Sequence, residues 1–405
     1  MSRSVLPDDA PRLLTARFVT VVVAGIFCFA ALGALLPVVP LYVKHRLGGG
    51  DVEVGIGVGA LALGAVLLRP LAGRIGDRYG RRVLMVGGAL LFAAMAVCTG
   101  IVASLPWLIG TRVLLGLGEA AFFVGGTTMA TDLAPVERRG EAVSYWSVSV
   151  WGGLALGPVL GEVVLEDSHF GRVWFTAAAL ATIAAVISLA TKETRAHTGA
   201  DLERGRLIHP AAIRPGVLLT CTVIGIVGFN AFLPLYGPDV GISDVALVFL
   251  VNGLVVLSVR VFGARLPDRL GPVWGGTIAT AATASGLLVV ATWHSALGVF
   301  VGTVGIALGS AFGYPAFLLM ALRDVPESQR GSVVGTFSAF FDFANGTAGP
   351  IFGGIAAATN YRGAFAVGAA LALTAFVLVR FGFAGEGRGS TPPVAPELLE
   401  DPLAP

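Results

Sequence analysis

Residues 69–80 read RPLAGRIGDRYG, and residues 260–271 read RVFGARLPDRLG. Arg69, Arg74, Asp77, Arg78 and Gly80 of the first stretch return as Arg260, Arg265, Asp268, Arg269 and Gly271 of the second, at one offset (260 − 69 = 191). The same offset carries Pro135 to Pro326, Arg139 to Arg330 and Gly140 to Gly331. One offset recurring in two separate polar segments marks a duplicated unit. Pro-Leu-Tyr at 40–42 also returns at 234–236, with a slightly different shift.

The sequence around these landmarks is apolar. Of 405 residues 55% are hydrophobic and 13% charged, and the mean hydropathy is +0.83. A soluble domain carries about 25% charged residues, so half of an aqueous surface is missing. Uncharged runs alternate with short connectors rich in Arg, Asp, Pro and Gly, as in spans of ~20 residues. Twelve helices are expected, at about 18–42, 53–72, 83–103, 106–129, 142–163, 171–191, 213–236, 244–263, 273–292, 295–320, 331–357 and 361–383. Each must be helical, because hydrocarbon leaves no other partner for the backbone, and nothing alternates like barrel strands. The apolar run from Phe18 is too long for a signal peptide and reads as an uncleaved first span.

Basic residues orient the spans. With both termini inside, the cytoplasmic segments hold Arg74, Arg78, Arg81, Arg82, Arg138, Arg139, Lys192, Arg195, Arg265, Arg269, Arg323 and Arg330, among others. The outer loops hold only Lys44, Arg46, Arg172 and Arg362. Such asymmetry requires an even number of spans and cytoplasmic termini. The fold expected is therefore an all-α membrane protein of twelve transmembrane helices in two pseudo-symmetric six-helix bundles. Its parts are an N-terminal tail (1–17), a first bundle (18–191), a cytoplasmic linker (192–212), a second bundle (213–384) and a Pro-rich tail (385–405). Parallel halves with substrate bound between them near the midplane describe one class of secondary transporter.

GRIGDRYGRR, residues 73–82 between helices 2 and 3, resembles the signature loop of the major facilitator superfamily, G-x-x-x-D-R-x-G-R-R, at every specified position. The resemblance implies a cytoplasmic gate latch made by Gly73, Asp77, Arg78, Gly80, Arg81 and Arg82. Asp77 would sit against the start of helix 11 near Arg330, where the helix dipole favours an anion. Asp268 and Arg269 of the second copy would face helix 5 near Gly140, although ARLPDRLGP (264–272) lacks the leading Gly and the basic pair. The alternative is that these arginines only set the topology.

Helix 4 contains RVLLGLGEAA (112–121), which resembles the family's second motif with Leu115 in place of Gln. An arginine inside an apolar span needs a partner or a wet cavity. Glu119, two turns beyond Arg112 on roughly the same face, is the candidate for reversible protonation, with Arg112 tuning it. A static ion pair is the bland alternative. Helix 5 reads GLALGPVLGE (153–162), and Gly153, Gly157, Pro158 and Gly161 resemble the antiporter motif of drug:proton exchangers, with Glu162 replacing its last Gly. The chain thus resembles the twelve-span drug:proton antiporters and the arabinose-efflux-like permeases, which implies export.

Asp342, deep in helix 11 with Asn345 one turn on, is a second candidate for protonation or a counter-charge for substrate. Asn230, Phe232, Tyr314 and Phe341 are candidates for a largely apolar cavity on the second-half helices the family uses. Glu162, Asp239 and Asp244 are placed at the outer surface. Cys28, Cys98 and Cys221 fall in spans and read as packing residues, and the histidines show no metal-ligand spacing. Lys44 and Lys192, the only lysines, lie in no G-K-[ST] context, so no P-loop supplies ATP energy.

The function expected is proton-driven export of a small lipophilic molecule by alternating access, with no cofactor, no metal and no nucleic-acid partner. The partners expected are substrate, protons and the lipid bilayer. The protein would work as a monomer in the inner or plasma membrane of a bacterium, an origin suggested by the Arg-over-Lys bias. The rivals are proton-coupled uptake or facilitated transport of a sugar or organic acid, and a non-transporting receptor or scaffold. An enzyme is disfavoured, since no nucleophile motif, His cluster or paired catalytic carboxylates appear. The topology has a direct test. A cysteine at Thr198 should react with an impermeant maleimide only in inverted vesicles, and one at Gly49 only in intact cells. The reverse labelling would invert the orientation.

Overall fold

Gly80 and Gly271 are where the duplicated segments turn. Their φ values of 107° and 77° lie in a region that side chains with a Cβ avoid; Gly80 separates two helices and Gly271 caps the start of one. The computed structural model describes residues 13–101, 103–135, 138–165, 169–194, 208–262, 271–326 and 329–382. These residues form twelve helices and no strand. The first six are α1 (Ala16–Leu41), α2 (Asp51–Tyr79), α3 (Arg81–Thr99), α4 (Leu105–Asp132), α5 (Arg139–Leu165) and α6 (Phe170–Leu189). The second six are α7 (Pro210–Tyr236), α8 (Ala246–Phe262), α9 (Pro272–Thr292), α10 (Ala296–Leu322), α11 (Arg330–Ala358) and α12 (Tyr361–Gly382).

Two boundaries differ from the sequence reading. Residues 73–79, expected in a loop, continue α2 for two further turns, because nothing before Gly80 breaks the helix. Helix α7 opens at Pro210, a residue that suits a first helical turn, with the His209 ring accepting from the Ala211 N–H. Ten helices are long and apolar enough to cross a bilayer. The others are α8, with 17 described residues, and α11, which carries Asp342 and Asn345.

The duplication is visible in the packing. In the first half α1 packs on α5 and α6, α4 on α2 and α3, and α3 on α6; in the second half α7 packs on α11 and α12, α10 on α8 and α9, and α9 on α12. Tyr42 meets Phe170 edge-to-face at 5.2 Å and 72°, and Tyr236 meets Phe365 with the same values. The halves join through α2 against α11 and α5 against α8, with α1 touching α7 on the axis between them.

Lipid offers helices no hydrophobic drive to associate, so small residues that let backbones approach carry the contacts. A Cβ on Gly116 would collide with the Leu61 carbonyl, and one on Gly64 with that of Val113, which locks α2 to α4. Between the halves, a Cβ on Gly55 would strike the Gly349 carbonyl and one on Gly59 that of Gly346. Hydroxyls inside the spans turn back on their own helix: Thr127, Thr182, Thr222 and Thr303 each donate to the carbonyl four residues earlier at 2.7–2.8 Å. Gly116→Val should lower stability by about 1–3 kcal/mol through overpacking, read as an earlier thermal transition in detergent. Gly87→Val, where nothing lies within 4 Å of the added Cβ, should be neutral.

Candidate functional site

The buried charges lie where the halves meet. Asp342 of α11 is 5% exposed and takes an ion pair at 2.8 Å from Arg69 of α2. The same guanidinium lies 5.3 Å from the centre of the Phe123 ring on α4. Glu119 of α4 is 7% exposed and within electrostatic range of Arg69 and Asp342. It makes no hydrogen bond or ion pair among the described residues, and its other close ionisable neighbour is Cys28 of α1. One arginine thus pairs with a carboxylate of the other half and has a carboxylate of its own half within electrostatic range.

Arg112 is elsewhere. Its Nε donates to the Gly57 carbonyl at 3.3 Å and a terminal nitrogen to that of Val58 at 3.5 Å, both on α2. The expected pairing of Arg112 with Glu119 is not seen. Seven residues bring both to one face of α4 but also separate them by about 10 Å along it, beyond direct contact. Each finds a partner at its own depth: Arg112 the α2 backbone, Glu119 the field of Arg69.

The second interface carries a repeat-related contact. Arg260 of α8 lies 4.8 Å over the Trp151 ring of α5. The 191-residue offset carries Arg69 to Arg260 and also Trp151 to Asp342 (342 − 151 = 191). The two interfaces therefore hold the same pair of positions, as an ion pair in one and as a cation on an aromatic face in the other.

The other predicted residues separate. Gly153, Gly157 and Gly161 face α1 inside the first half, against Ala30, Gly33 and Ala34, and the ring of Pro158 also lies against Gly33. Phe232 is fully buried, 6.0 Å from the Tyr361 ring. Tyr314 meets Phe337 and Phe341 edge-to-face at 5.2 and 5.4 Å, with its hydroxyl 3.3 Å from Ser338. Asn345 donates to its own helix at Phe341, while Asn230 keeps a buried Oδ1 without a partner. Glu162, expected at the outer surface, has a buried Oε1 without a hydrogen-bond partner. Of the loop motif, Arg81 pairs with Asp132 at 3.1 Å, and the N–H groups of Arg81 and Arg82 donate to the Glu193 carboxylate. This ties α3 to α4 and to the chain just after α6, within one half. Arg78 lies over the ring of the adjacent Tyr79. The surroundings of Gly73, the side chain of Asp77, and all of Asp268 and Arg269 lie outside the described residues.

Residues 21–348 match the model of the Major Facilitator Superfamily. The chain belongs to that superfamily. An uncharacterized MFS-type transporter of Salmonella typhimurium is 29% identical over 363 residues, covering 87% of this chain and 92% of the relative. One of Burkholderia mallei is 27% identical over 380 residues, covering 90% and 91%. Among solved structures, a bacterial homologue of the human lysosomal transporter Spinster superposes with a TM-score of 0.74 at 16% identity, over 94% of this chain and 100% of that one. The human organic anion transporter MFSD10 gives 0.70 at 17%, over 90% and 98%. The nucleoside transporter NupG gives 0.69 at 13%, over 93% and 100%. These likenesses establish the superfamily fold, and the protein is a multi-pass membrane transporter of that superfamily.

Sequence reasoning used Arg69 and Arg260 only as repeat landmarks and passed over Trp151. A charged residue deep in an apolar run, repeated at the duplication offset, was the signal available. In this superfamily member, Asp342→Asn alone should strand a mostly buried arginine, costing about 3–5 kcal/mol. Asp342→Asn combined with Arg69→Gln should recover part of that loss, read as non-additive shifts in thermal stability.

Proposed function

We propose that the protein is a proton-driven exporter of small lipophilic molecules, working by alternating access of its two halves. The observation that carries this reading is Arg69, which pairs with Asp342 of the other half and has Glu119 of its own half within electrostatic range. With Asp342 ionised, Arg69 spans the interface and holds α2 to α11. A proton on Asp342 removes the charge that holds it there and leaves Glu119, on its own half, as the remaining anion. Proton binding thereby exchanges a contact between the halves for one within a half. That is the differential interaction a ligand needs to shift a conformational equilibrium. Substrate binding that favours the same arrangement is then linked to the proton, reciprocally.

Close glycine contacts support rocking about a fixed seam. Asp51 against Gly353, Gly55 against Gly349 and Gly59 against Gly346 lie along one end of the α2–α11 interface. Farther along, a Cβ on Gly346 would meet Ala62 only at ordinary contact distance, and at Arg69 the helices are bridged by a side chain. Close backbone packing at that end would suit a hinge for such rocking. The helix-5 glycines, facing α1, stiffen the first half as one body.

Purified protein in proteoliposomes with an imposed pH gradient tests the proposal with lipophilic compounds of each charge, antibiotics and sugars. The expected result is gradient-driven movement of a lipophilic compound with proton counterflow. Glu119→Gln and Asp342→Asn should each reduce that movement by about tenfold or more, as for loss of one coupling group. Sugar uptake moving together with protons would replace export by symport. Undiminished coupled transport in both variants would remove the assigned proton sites.

A further inference from the structure

The middle of the bundle holds three arginines, Arg69, Arg112 and Arg260, and each is answered differently. Arg69 has Asp342, and Arg112 has the carbonyls of Gly57 and Val58. Among the described residues Arg260 has no hydrogen bond or ion pair. Its Nε is buried without a hydrogen-bond partner among those residues, and its guanidinium lies 4.8 Å over the Trp151 ring. The residue as a whole is only partly buried, so its terminal nitrogens remain reachable. A cation–π contact returns only part of what solvation by water gave the ion. That is far less than an unpaired ion costs away from water.

The repeat shows what is missing. At the position related to Trp151 by the duplication, the other interface has the carboxylate of Asp342. The first half lacks that carboxylate, and Trp151 is packed instead in an apolar cluster with Val255, Val259 and Phe312. Stacking on one face fixes the guanidinium plane and leaves its edge, with paired N–H donors, free for a bidentate anion.

We propose that Arg260 and Trp151 form an anion-binding subsite between α5 and α8, and that the transported class is a lipophilic organic anion. Its carboxylate or sulfonate takes the place that Asp342 occupies in the other interface, and its apolar body lies along Trp151 and the adjoining apolar cluster. This deepens the transport reading and rests on it for the word transported; the subsite itself does not depend on proton coupling. The duplication thereby yields two clasps of different kinds. Arg69 is closed by the protein's own titratable acid, and Arg260 by the substrate.

The test is equilibrium binding of radiolabelled naphthoate to the full chain in nanodiscs at neutral pH. The uncharged amide and naphthylmethylammonium of the same skeleton serve as competitors. Wild type should bind naphthoate more tightly than either competitor. Arg260→Gln should abolish that preference, a loss of about tenfold or more for a charge-assisted bidentate contact, and Arg260→Lys should fall between. Trp151→Asp supplies the repeat-related carboxylate, so it should keep Arg260 in place, maintain thermal stability and still abolish naphthoate binding. The subsite is overturned if wild type shows no preference for the anion, or if a stable Trp151→Asp protein binds naphthoate as wild type does. Naphthoate bound through Arg260 but unmoved by a pH gradient would sink the proton-driven reading alone. Gradient-driven export of the ammonium, indifferent to Arg260→Gln, would sink the anion subsite alone.

Discussion

A charge in hydrocarbon has no solvent of its own, and the organisation of this bundle follows from how each arginine is answered. Arg112 is neutralised by no acid; it draws on two carbonyls of a neighbouring helix and so fixes α4 against α2. Arg69 reaches across to an acid in the other half. Arg260 rests on an aromatic face. Satisfying an ion inside a membrane requires specific geometry at short range. The number of ways to satisfy these three ions therefore limits the number of ways the halves can meet.

The backbone obeys the same constraint. Peptide groups are paired within helices because lipid cannot pair them, and helices then associate through contact surfaces and not through exclusion from water. Glycine supplies those surfaces, in the α2–α4 contact of one half and again between the halves at Gly55 and Gly349. The two uses differ in consequence. A glycine seam inside a half ties its helices into one body, whereas one between halves sets how closely the two bodies meet. Gly157 against Gly33 belongs to the first kind, which places the helix-5 motif in the frame and not in the binding space.

Much of this was legible in the chain. The duplication, the twelve helices and their approximate limits follow from charge-free runs and one recurring offset, because apolar length and the helical backbone are nearly obligatory in a bilayer. The burial of Asp342 and Glu119 was also legible, since each lies in an apolar run. The partner of each was not. Arg112 and Glu119 share a helical face and looked like a pair, yet depth along the axis separates them, and each is met by a residue remote in sequence.

The sequence by itself determined the class of structure: spans, duplication, and a family resemblance borne by local motifs such as GRIGDRYGRR. These are matters of short-range chemistry, in which composition over ~20 residues decides the outcome. Tertiary structure alone decided which charges answer which. Arg69 with Asp342 and Arg260 with Trp151 join positions far apart in the chain and on opposite halves. The repeat relates the two pairs, but only the packing of α2 on α11 and of α5 on α8 turns that relation into contact. Side chains in a membrane interior interact at a few ångströms or hardly at all. Their meaning is therefore settled by which helices become neighbours, and no local pattern encodes that.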